Sequence, residues 1–435
     1  MDTLEKIRSA GIVGAGGAGF PTHVKLDCRA DTVIANGAEC EPLLRVDQQL
    51  MEISAGEIVE GLQVAIRQVG ANEGVIFLKS HYDKAVEALS KEIRHKKNIR
   101  LFVSESFYPA GDEQQIIYEV TRRIVPPGGL PKDVGCVVCN VSTLYNISAA
   151  MRDIPVTERY VTVAGAVARP CTLLMPLGAP MAALLERAGG LTQADCAYIV
   201  GGPCMGAVAN TPDGVVTKTT GGLLAIPNNH PLLTKRSSEM RYNVMLSVCC
   251  QCSMCTQMCP RQALGLGTSP HKAMRSLAAG TDLIGDVNAI LTCCDCGVCT
   301  TFACNFGLNP ALVMNRMKQA LMEKGMRPNP DGARQPDFFI DDKRLSTGRL
   351  ITRLGLEAYD VPAPIDTKLQ HVPMVRIPLR MHIGAASRPL VCSGQRVQRG
   401  DLIAEPPKGA MGANIHASID GTITHIADNY IEIKE

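Results

Sequence analysis

The sequence predicts a multidomain α/β protein, because different stretches of the chain carry different patterns. Strand-like and helix-like segments alternate through the N-terminal third. Ten of the eighteen cysteines fall between Val248 and Cys304, and the C-terminal segment has regularly spaced turn residues. At 435 residues the chain is long enough for several domains of about 70 to 150 residues, each with its own core.

A glycine-rich stretch, Gly11 to Lys25, follows a short predicted helix over residues 2–10. Its spacing matches the dinucleotide fingerprint, with Glu39 twenty residues beyond the last glycine. A Rossmann turn needs a buried strand before it and a helix that opens on its last glycine, whereas here a polar helix precedes and Pro21 follows. We therefore predict a loop whose backbone N–H groups let a phosphate or a flat ring approach closely, the alternative being a mobile Gly/Ala loop. The glycines concerned are Gly14, Gly16, Gly17 and Gly19.

The segment after this loop predicts an α/β layer. Its strand-like runs are Thr32–Ala35, Gly74–Lys79, Arg100–Ser104 and Gly135–Val141, and helical periodicity covers 43–69, 81–97 and 111–124. Polar residues gather where the strands should end, which is where open α/β sheets bind ligands. These residues are Asn36, Glu39, Glu41, Tyr108, Gly111, Asp112, Glu113, Asn140 and Thr143. A single acidic residue there is usually a helix cap, but three such clusters beside a glycine loop favour a binding site.

Two cysteine blocks predict a pair of iron–sulfur clusters. The first, from Cys249 to Pro260, has the C-x2-C-x2-C-x3-C-P spacing of bacterial ferredoxins, in which the fourth cysteine ligates the other cluster. The second block, from Cys293 to Cys304, repeats the spacing with one more residue before its last cysteine and no proline after it. We therefore assign one cluster to Cys249, Cys252, Cys255 and Cys304, and the other to Cys259, Cys293, Cys296 and Cys299.

Zinc sites and disulfides are the alternatives to clusters. Paired zinc knuckles usually supply two x2-type cysteine pairs per metal, whereas each block here has a triplet and one outlier. Disulfides concentrate in small secreted domains, and this is a large chain without a signal peptide. Cys250 and Cys294 are interpreted as bystanders, with a ligand swap left open. Cys136 and Cys139 are interpreted as buried thiols, because residues three apart in a strand point to opposite faces.

Composition excludes several functional classes. The formal charge of +2, an aromatic content of 4% and the lack of tryptophan argue against a nucleic-acid surface. The sequence has no apolar run long enough to cross a membrane. We therefore expect a soluble, cytoplasmic protein.

The C-terminal segment, residues 371–435, has the turn pattern of a flattened β-sandwich of the lipoyl type. The turn Ser418–Gly421 lacks the lysine that would carry a prosthetic group, so covalent attachment is not expected. His382 and His416 are predicted to lie in polar turns, with metal ligation as the alternative. Residues 326–370 begin with a stretch rich in Pro, Asp, Gly and Arg and are predicted to form an exposed linker.

Four motifs carry a resemblance to a known family: GAGGAGFPTHVK, ANGAECEP, YPAGDEQ and NVST. They resemble the flavin- and NADH-binding subunit of respiratory complex I and its RnfC-like relatives. Among these, the chain looks most like the cobalamin-reductase branch from propanediol-utilisation microcompartments, because its barrel-sandwich segment lies at the C-terminus rather than at the N-terminus. Two positions depart from the complex I pattern, since Ala38 replaces an acidic residue and Cys139 replaces an asparagine.

The resemblance implies an FMN and NADH site built from the glycine loop and the strand-end residues. Phe20 would stack on nicotinamide or adenine, and Lys25 would lie near the nucleotide. Asn36, Glu39, Asp112, Glu113, Asn140 and Thr143 would surround FMN, with Cys40 beside it. Glu41, Tyr108 and Gly111 belong to the same motifs and are counted as contact residues.

The resemblance also implies the domain order and the activity. The expected domains are an FMN/NADH-binding α/β domain (1–153), a β-grasp domain of the SLBB type (154–234), a helical ferredoxin-like domain with two 4Fe-4S clusters (235–325), the linker (326–370) and an RnfC-type barrel-sandwich (371–435). The β-grasp domain could contact cobalamin or serve as a spacer.

The expected function is NADH-dependent reduction of cobalamin for adenosylation, with an adenosyltransferase and microcompartment proteins as partners. The alternatives are an RnfC-like electron-entry subunit of a membrane complex, and an iron–sulfur scaffold without NADH oxidation.

Overall fold

The structure, a computed structural model, describes residues 1–236, 239, 242–332 and 335–435. The predicted ferredoxin-like domain includes residues 237, 238, 240 and 241, and the predicted linker includes 333 and 334. These six positions lie outside the described residues.

The N-terminal region is a parallel four-stranded sheet with helices packed on it, as the sequence predicts. Its strands are β1 (Thr32–Asn36), β2 (Glu73–Lys79), β3 (Ile99–Ser104) and β5 (Cys136–Asn140), in the spatial order β3-β2-β1-β5, and β4 (Phe107–Tyr108) lies outside this sheet. Its helices are α1 (Thr3–Ser9), α2 (Thr22–Lys25), α3 (Val46–Ile53), α4 (Ala55–Val69), α5 (Asp83–Ile93), α6 (Glu113–Thr121) and α7 (Val141–Met151). Central strand β1 is buried over four successive residues, because both faces of the sheet are covered.

The helices of this region follow from their sequence signals. The single helix expected over 43–69 is in fact two, α3 and α4, separated by Ser54 in a non-helical conformation. Helix α4 buries Ile58, Leu62 and Val69 along one side and ends at Gly70, whose φ of +69° suits a glycine cap. Cys136 and Cys139 are free, buried thiols that pack in different hydrophobic clusters, as their spacing in β5 predicts.

A six-stranded mixed sheet follows, in the spatial order β12-β7-β6-β10-β8-β9. Its elements are β6 (Glu158–Gly165), β7 (Cys171–Pro176), α8 (Met181–Arg187), β8 (Cys196–Val200), β9 (Ala207–Ala209), β10 (Gly222–Pro227) and, after a long excursion of the chain, β12 (Ile365–Leu369). Strand β12 runs parallel to β7 and completes the edge of the sheet. The cysteine blocks therefore lie in a segment inserted between two strands of one sheet.

The inserted segment is helical between its cysteine loops, as predicted. Its helices are α9 (Pro231–Lys235), α10 (Tyr242–Val248), α11 (Met254–Gln257), α12 (Pro260–Ala263), α13 (Pro270–Ala279), α14 (Asn288–Leu291) and α15 (Pro310–Glu323), with a π-helical turn at Cys299–Ala303. Helix α15 begins at Pro310, and the Asn309 side chain accepts the Leu312 N–H at 3.0 Å.

The predicted linker is more ordered than a linker. It contains β11 (Leu345–Ser346), which pairs with β4, and α16 (Thr347–Leu354), followed by β12. Leu350, Leu354 and Leu356 are buried against the first two domains. The amphipathic repeat of this short helix was hidden by the polar residues before it, so the linker prediction is wrong for this part.

The C-terminal region folds into two small antiparallel sheets. Their strands are β13 (Met374–Pro378), β14 (Arg388–Pro389), β15 (Arg396–Val397), β16 (Leu402–Glu405), β17 (Ile415–His416), β18 (Gly421–Ile426) and β19 (Tyr430–Lys434). His382 and His416 are buried here rather than lying in polar turns, because the barrel-sandwich packs against the glycine loop and shields both rings. In the part of the chain that the structure describes, no helix is both long and apolar enough to cross a membrane.

Candidate functional site

A cavity of about 650 Å³ opens at the carboxyl ends of β1 and β5. The glycine loop forms one side of it and the loops that follow β1, β4 and β5 form another. The β-grasp sheet supplies the opposite wall, a contribution that the sequence did not reveal. Predicted contact residues in the lining are Gly16, Gly17, Asn36, Glu39, Glu41, Gly111, Asp112, Glu113 and Asn140, together with Cys40.

The glycine loop is held in a closed turn beside this cavity. The Gly14 N–H donates to the Phe20 carbonyl at 2.8 Å, and the Gly19 N–H donates to the Gly14 carbonyl at 3.2 Å. Gly17 has a φ of +142°, and an added Cβ would meet no atom within 4 Å. The backbone at Gly17 is therefore open for a ligand to approach.

Several predicted residues support the cavity from behind its lining. Thr143 Oγ1 accepts the Ala15 N–H at 2.9 Å, and Lys25 Nζ pairs with Glu113 Oε1 at 2.7 Å. Burial alone would lower the pKa of Lys25, but the Glu113 charge outweighs burial and raises it. The Phe20 ring does not line the cavity in the described structure, and its residue contributes through its backbone carbonyl.

A buried acidic network stands at the centre of the lining. The Glu39 carboxylate accepts the Asp47 N–H at 3.1 Å, and Asp47 accepts hydrogen bonds from Asn140 Nδ2 at 2.7 Å and from Ser142 Oγ at 3.0 Å. Burial, followed by repulsion from Asp47, raises the pKa of Glu39 to about 8. Sequence reasoning missed Asp47, because an acidic residue in the first turn of a helix is usually a surface feature.

Arg159 is the cation that faces this network. It lies on β6 of the β-grasp sheet, is buried, and donates to the Ala15 carbonyl at 2.9 Å and to the Thr220 carbonyl at 3.1 Å. The charges of Asp47 and Glu39 favour its protonated state, against the burial that lowers its pKa. The β-grasp domain therefore anchors the glycine loop, which is more than a spacer would do.

The cysteines gather around two further cavities. One, of about 280 Å³, is lined by Cys259, Cys293, Cys296 and Cys299, together with Cys294 and Cys204. The other, of about 30 Å³, is lined by Cys249, Cys252, Cys255 and Cys304, together with Cys250. Each triplet thus meets the outlying cysteine of the other block, in the same grouping that the spacing predicts.

The two blocks share an unusual backbone conformation. Gln251 and Asp295, which hold equivalent positions, have φ values of +58° and +57°, and Ser253 and Gly297, two residues further on, have +60° and +74°. Left-handed residues between right-handed ones turn successive N–H groups toward a common centre and form anion-binding concavities. Three of these residues are not glycine, and such strain is concentrated at functional sites.

Four thiols around each cavity suit an iron–sulfur cluster. Among the described residues, no three His, Cys, Asp or Glu side chains converge tightly enough to hold a single metal ion. Burial raises the pKa of Cys255 and Cys259 to about 12, so both thiols keep their protons until a metal displaces them. The donor set and the paired backbone turns both fit the predicted group.

The nucleotide cavity and the larger cysteine cavity share a wall. Met205, Cys294 and Cys296 line both. Across this wall, Arg261, two residues after Cys259, pairs with Asp112 at 2.6 Å.

Four family models match successive parts of the chain. They are the Nuo51 FMN-binding domain over residues 7–149, the SLBB domain over 160–207, the 4Fe-4S dicluster domain over 248–309 and the RnfC barrel sandwich hybrid domain over 363–435. The predicted fold class is thereby confirmed.

Three curated proteins illustrate the relationship. The cobalamin reductase PduS of Salmonella typhimurium is 43% identical over 99% of this chain and 95% of its own length, and PduS of Citrobacter freundii is 42% identical over the same shares. The RnfC-like component of the Na(+)-translocating ferredoxin:NAD(+) oxidoreductase complex of Acetobacterium woodii is 38% identical over 60% of this chain and 58% of its own length.

Solved structures share the fold. Chains of an NAD+-reducing NiFe hydrogenase, in the H2-reduced and air-oxidized states, both superpose with a TM-score of 0.51, at 19% and 20% identity. They cover 75% and 81% of this chain, which spans 63% and 66% of theirs, less than two thirds in each case.

The domains and cavities together define a flavin and iron–sulfur protein of the Nuo51 and RnfC type. Given the identity and coverage of the two PduS proteins, the chain belongs to the family of the cobalamin reductase PduS.

Proposed function

We propose that this protein is an NADH-dependent cobalamin reductase that holds FMN and two 4Fe-4S clusters and prepares cobalamin for adenosylation to coenzyme B12. When bound, the flavin exchanges a hydride with NADH and releases electrons singly, so a two-electron donor can serve one-electron acceptors. The full-length identity to PduS supports cobalamin as the acceptor.

The shared wall between the two cavities is the observation that carries this proposal. The loop Cys293–Cys296 places Cys294 and Cys296 in the lining of both. One layer of side chains therefore separates a nucleotide site from a cluster site, an adjacency that suits electron exchange.

Each lining group has a proposed task. The backbone at Gly16 and Gly17 would admit a phosphate or a ring, and the network of Glu39, Asp47 and Arg159 would set the charge of the cavity. The residues behind the lining, Lys25, Tyr108 and Thr143, would hold these groups in place. The four cysteines of each set would ligate one cluster.

The partners proposed with this function are a cobalamin adenosyltransferase and proteins of a propanediol-utilisation microcompartment, within or against which the protein would reside. A second candidate is an RnfC-like electron-entry subunit of a membrane complex. The match to the Acetobacterium woodii protein favours it, although that match covers only 60% of the chain. The third candidate, a scaffold without NADH oxidation, is tested by the same experiment.

The test is a stepwise reduction under anaerobic conditions. The purified protein is assayed for iron, sulfide and FMN, mixed with NADH, and followed by visible spectroscopy and low-temperature EPR. Cob(II)alamin and an adenosyltransferase are then added. We expect flavin bleaching, then the EPR signals of reduced clusters, and finally adenosylcobalamin.

Three results would contradict the proposal, each at a different step. Zinc in place of iron would remove the clusters. Bound FMN that NADH does not bleach would leave the scaffold. Reduced clusters that pass electrons to ferredoxin but not to cobalamin would favour the RnfC-like role.

A further inference from the structure

Arg261 joins the nucleotide cavity to the cysteine cavity beside it. The residue lies in the first turn of α12, directly after Cys259 and Pro260. Its side chain and that of Asp112 are each 12% exposed, and the Nη2 and Oδ1 atoms lie 2.6 Å apart. Asp112 lines the nucleotide cavity and also caps α6, accepting the Gln115 N–H at 3.3 Å.

The same guanidinium reaches the cysteine side of the wall. It hydrogen-bonds the Cys294 side chain, and Cys294 lines both cavities. Gln115 Nε2 donates to the Pro260 carbonyl at 3.0 Å and fixes this stretch of chain to α6. In the described structure the Arg261 Nε is buried without a partner, so the cation is held by position rather than by a full set of hydrogen bonds.

The smaller cysteine cavity has a different electrostatic setting. In the described structure its lining contains no arginine or lysine, and Cys250 and Cys252 are exposed to solvent. The larger cavity has Arg261 at one side and, at the other, Lys318, whose Nζ donates to the Cys293 carbonyl at 2.7 Å and pairs with Asp295 at 2.6 Å. Two fixed cations thus flank only one of the two cysteine sets.

We propose that Arg261 is a positioning residue that raises the reduction potential of the cluster held by Cys259, Cys293, Cys296 and Cys299, and so makes this set the first to take an electron from the flavin side. This inference rests on the proposed function. One-electron reduction adds one negative charge to a cluster and breaks no bond, so a fixed cation nearby stabilises the reduced form. Cluster potentials depend on net charge, hydrogen bonding and solvent exposure, and burial weakens screening by salt.

Asp112 makes the inference directional. Its carboxylate partly offsets the Arg261 charge, so removing either partner should shift the potential, with opposite signs. Arg261→Gln leaves the carboxylate unopposed and should lower the potential of this set. Asp112→Asn leaves the cation unopposed and should raise it, whereas a purely structural role would weaken the site in both variants.

The test is a potentiometric titration monitored by EPR on the full chain with its clusters. Cys252→Ser, which changes only the smaller cavity, assigns the signals to the two sets. We expect Arg261→Gln to reduce the ratio of reduced to oxidised cluster about tenfold at a fixed potential, which is 59 mV for one electron. Asp112→Asn should shift the same signal in the other direction, and Arg261→Lys should stay close to the wild type.

Arg45→Gln is the matched control. Arg45 also forms an ion pair between distant segments, with Asp360, but it lines neither cysteine cavity. Unchanged potentials in Arg261→Gln and Asp112→Asn, or shifts of the same sign in both, would overturn the inference. If Arg261→Gln fails to assemble clusters by iron content, Asp112→Asn alone decides. A wild type without cluster signals would instead refute the proposed function.

Discussion

Tyr108 donates its phenolic hydrogen to the backbone carbonyl of Cys296 over 2.7 Å, although 188 residues separate them in the chain. Glu41 Oε1 lies 3.1 Å from the same hydroxyl, and Glu41 Oε2 accepts the Cys204 N–H at 2.8 Å. Three domains therefore meet at one buried phenol. The contact fixes the loop that separates the two cavities.

Replacing Tyr108 with phenylalanine should destabilise the protein by about 1 to 3 kcal/mol, because the buried Cys296 carbonyl would lose its partner. Thermal unfolding with the clusters in place measures the effect. Tyr430→Phe is the control, since the Tyr430 ring packs on Arg376 and an unchanged ring is all that this contact needs. Equal melting temperatures for Tyr108→Phe and the wild type would show that the hydrogen bond contributes nothing.

Glu39 should make stability fall as pH rises. Burial and the charge of Asp47 raise the pKa of Glu39 to about 8, above its ordinary value of 4.5. Between these two pH values the folded state holds a proton that the unfolded state has lost, so the free energy of unfolding decreases with pH across this window. Glu39→Gln should flatten the decline in thermal midpoint between pH 5 and pH 8, whereas Glu87→Gln, at an exposed position of α5, should preserve it. Parallel curves for Glu39→Gln and the wild type would refute this.

Two glycines in helix α4 should respond oppositely to alanine. A Cβ on Gly61 would lie 1.9 Å from the Leu144 carbonyl oxygen, because α4 and α7 pack backbone to backbone there. A Cβ on Gly56 would meet only Glu92 Oε2, at 3.6 Å. We expect Gly61→Ala to be poorly folded and Gly56→Ala to gain up to about 1 kcal/mol, as alanine does in helices. Circular dichroism melts compare them, and a tolerated Gly61→Ala would disprove the close packing.

The crossed grouping of the cysteines predicts the result of single substitutions. Cys304→Ser should lose about half of the iron, because it removes the fourth ligand of the set Cys249, Cys252 and Cys255. Cys250→Ser should keep all of it, since Cys250 is interpreted as a bystander. Iron and sulfide analysis after anaerobic reconstitution gives the answer. Iron loss in Cys250→Ser with full iron in Cys304→Ser would mean that the ligand has been exchanged.

Local signals were enough to predict the sheet strands and the cysteine loops. The β-branched runs of β1 and β5 announce buried parallel strands, and the x2 spacing announces a concave loop. Asp112 and Asn140 follow the same logic, because each caps the helix after its strand and also lines the cavity.

The residues that sequence reasoning missed act through long-range contacts. Arg159 reaches the glycine loop 144 residues away, and Arg261 meets Asp112 across 149 residues. Periodicity carries no record of such pairs. Their one local signal is chemical: Arg159 stands in an otherwise apolar strand, and Arg261 directly follows a Cys-Pro pair. The burial of His382 and His416 has the same origin, since it depends on a partner domain.

Strand β12 pairs beside β7 after the whole cysteine segment has intervened. During synthesis, the β-grasp sheet must therefore wait with an open edge until residues 365–369 leave the ribosome, well after both cysteine blocks have emerged. Once that last strand docks, the segment is tethered at both ends to the same sheet, like a handle fastened at two points. Cluster assembly and completion of the sheet are thereby placed in the same window of the protein's biogenesis.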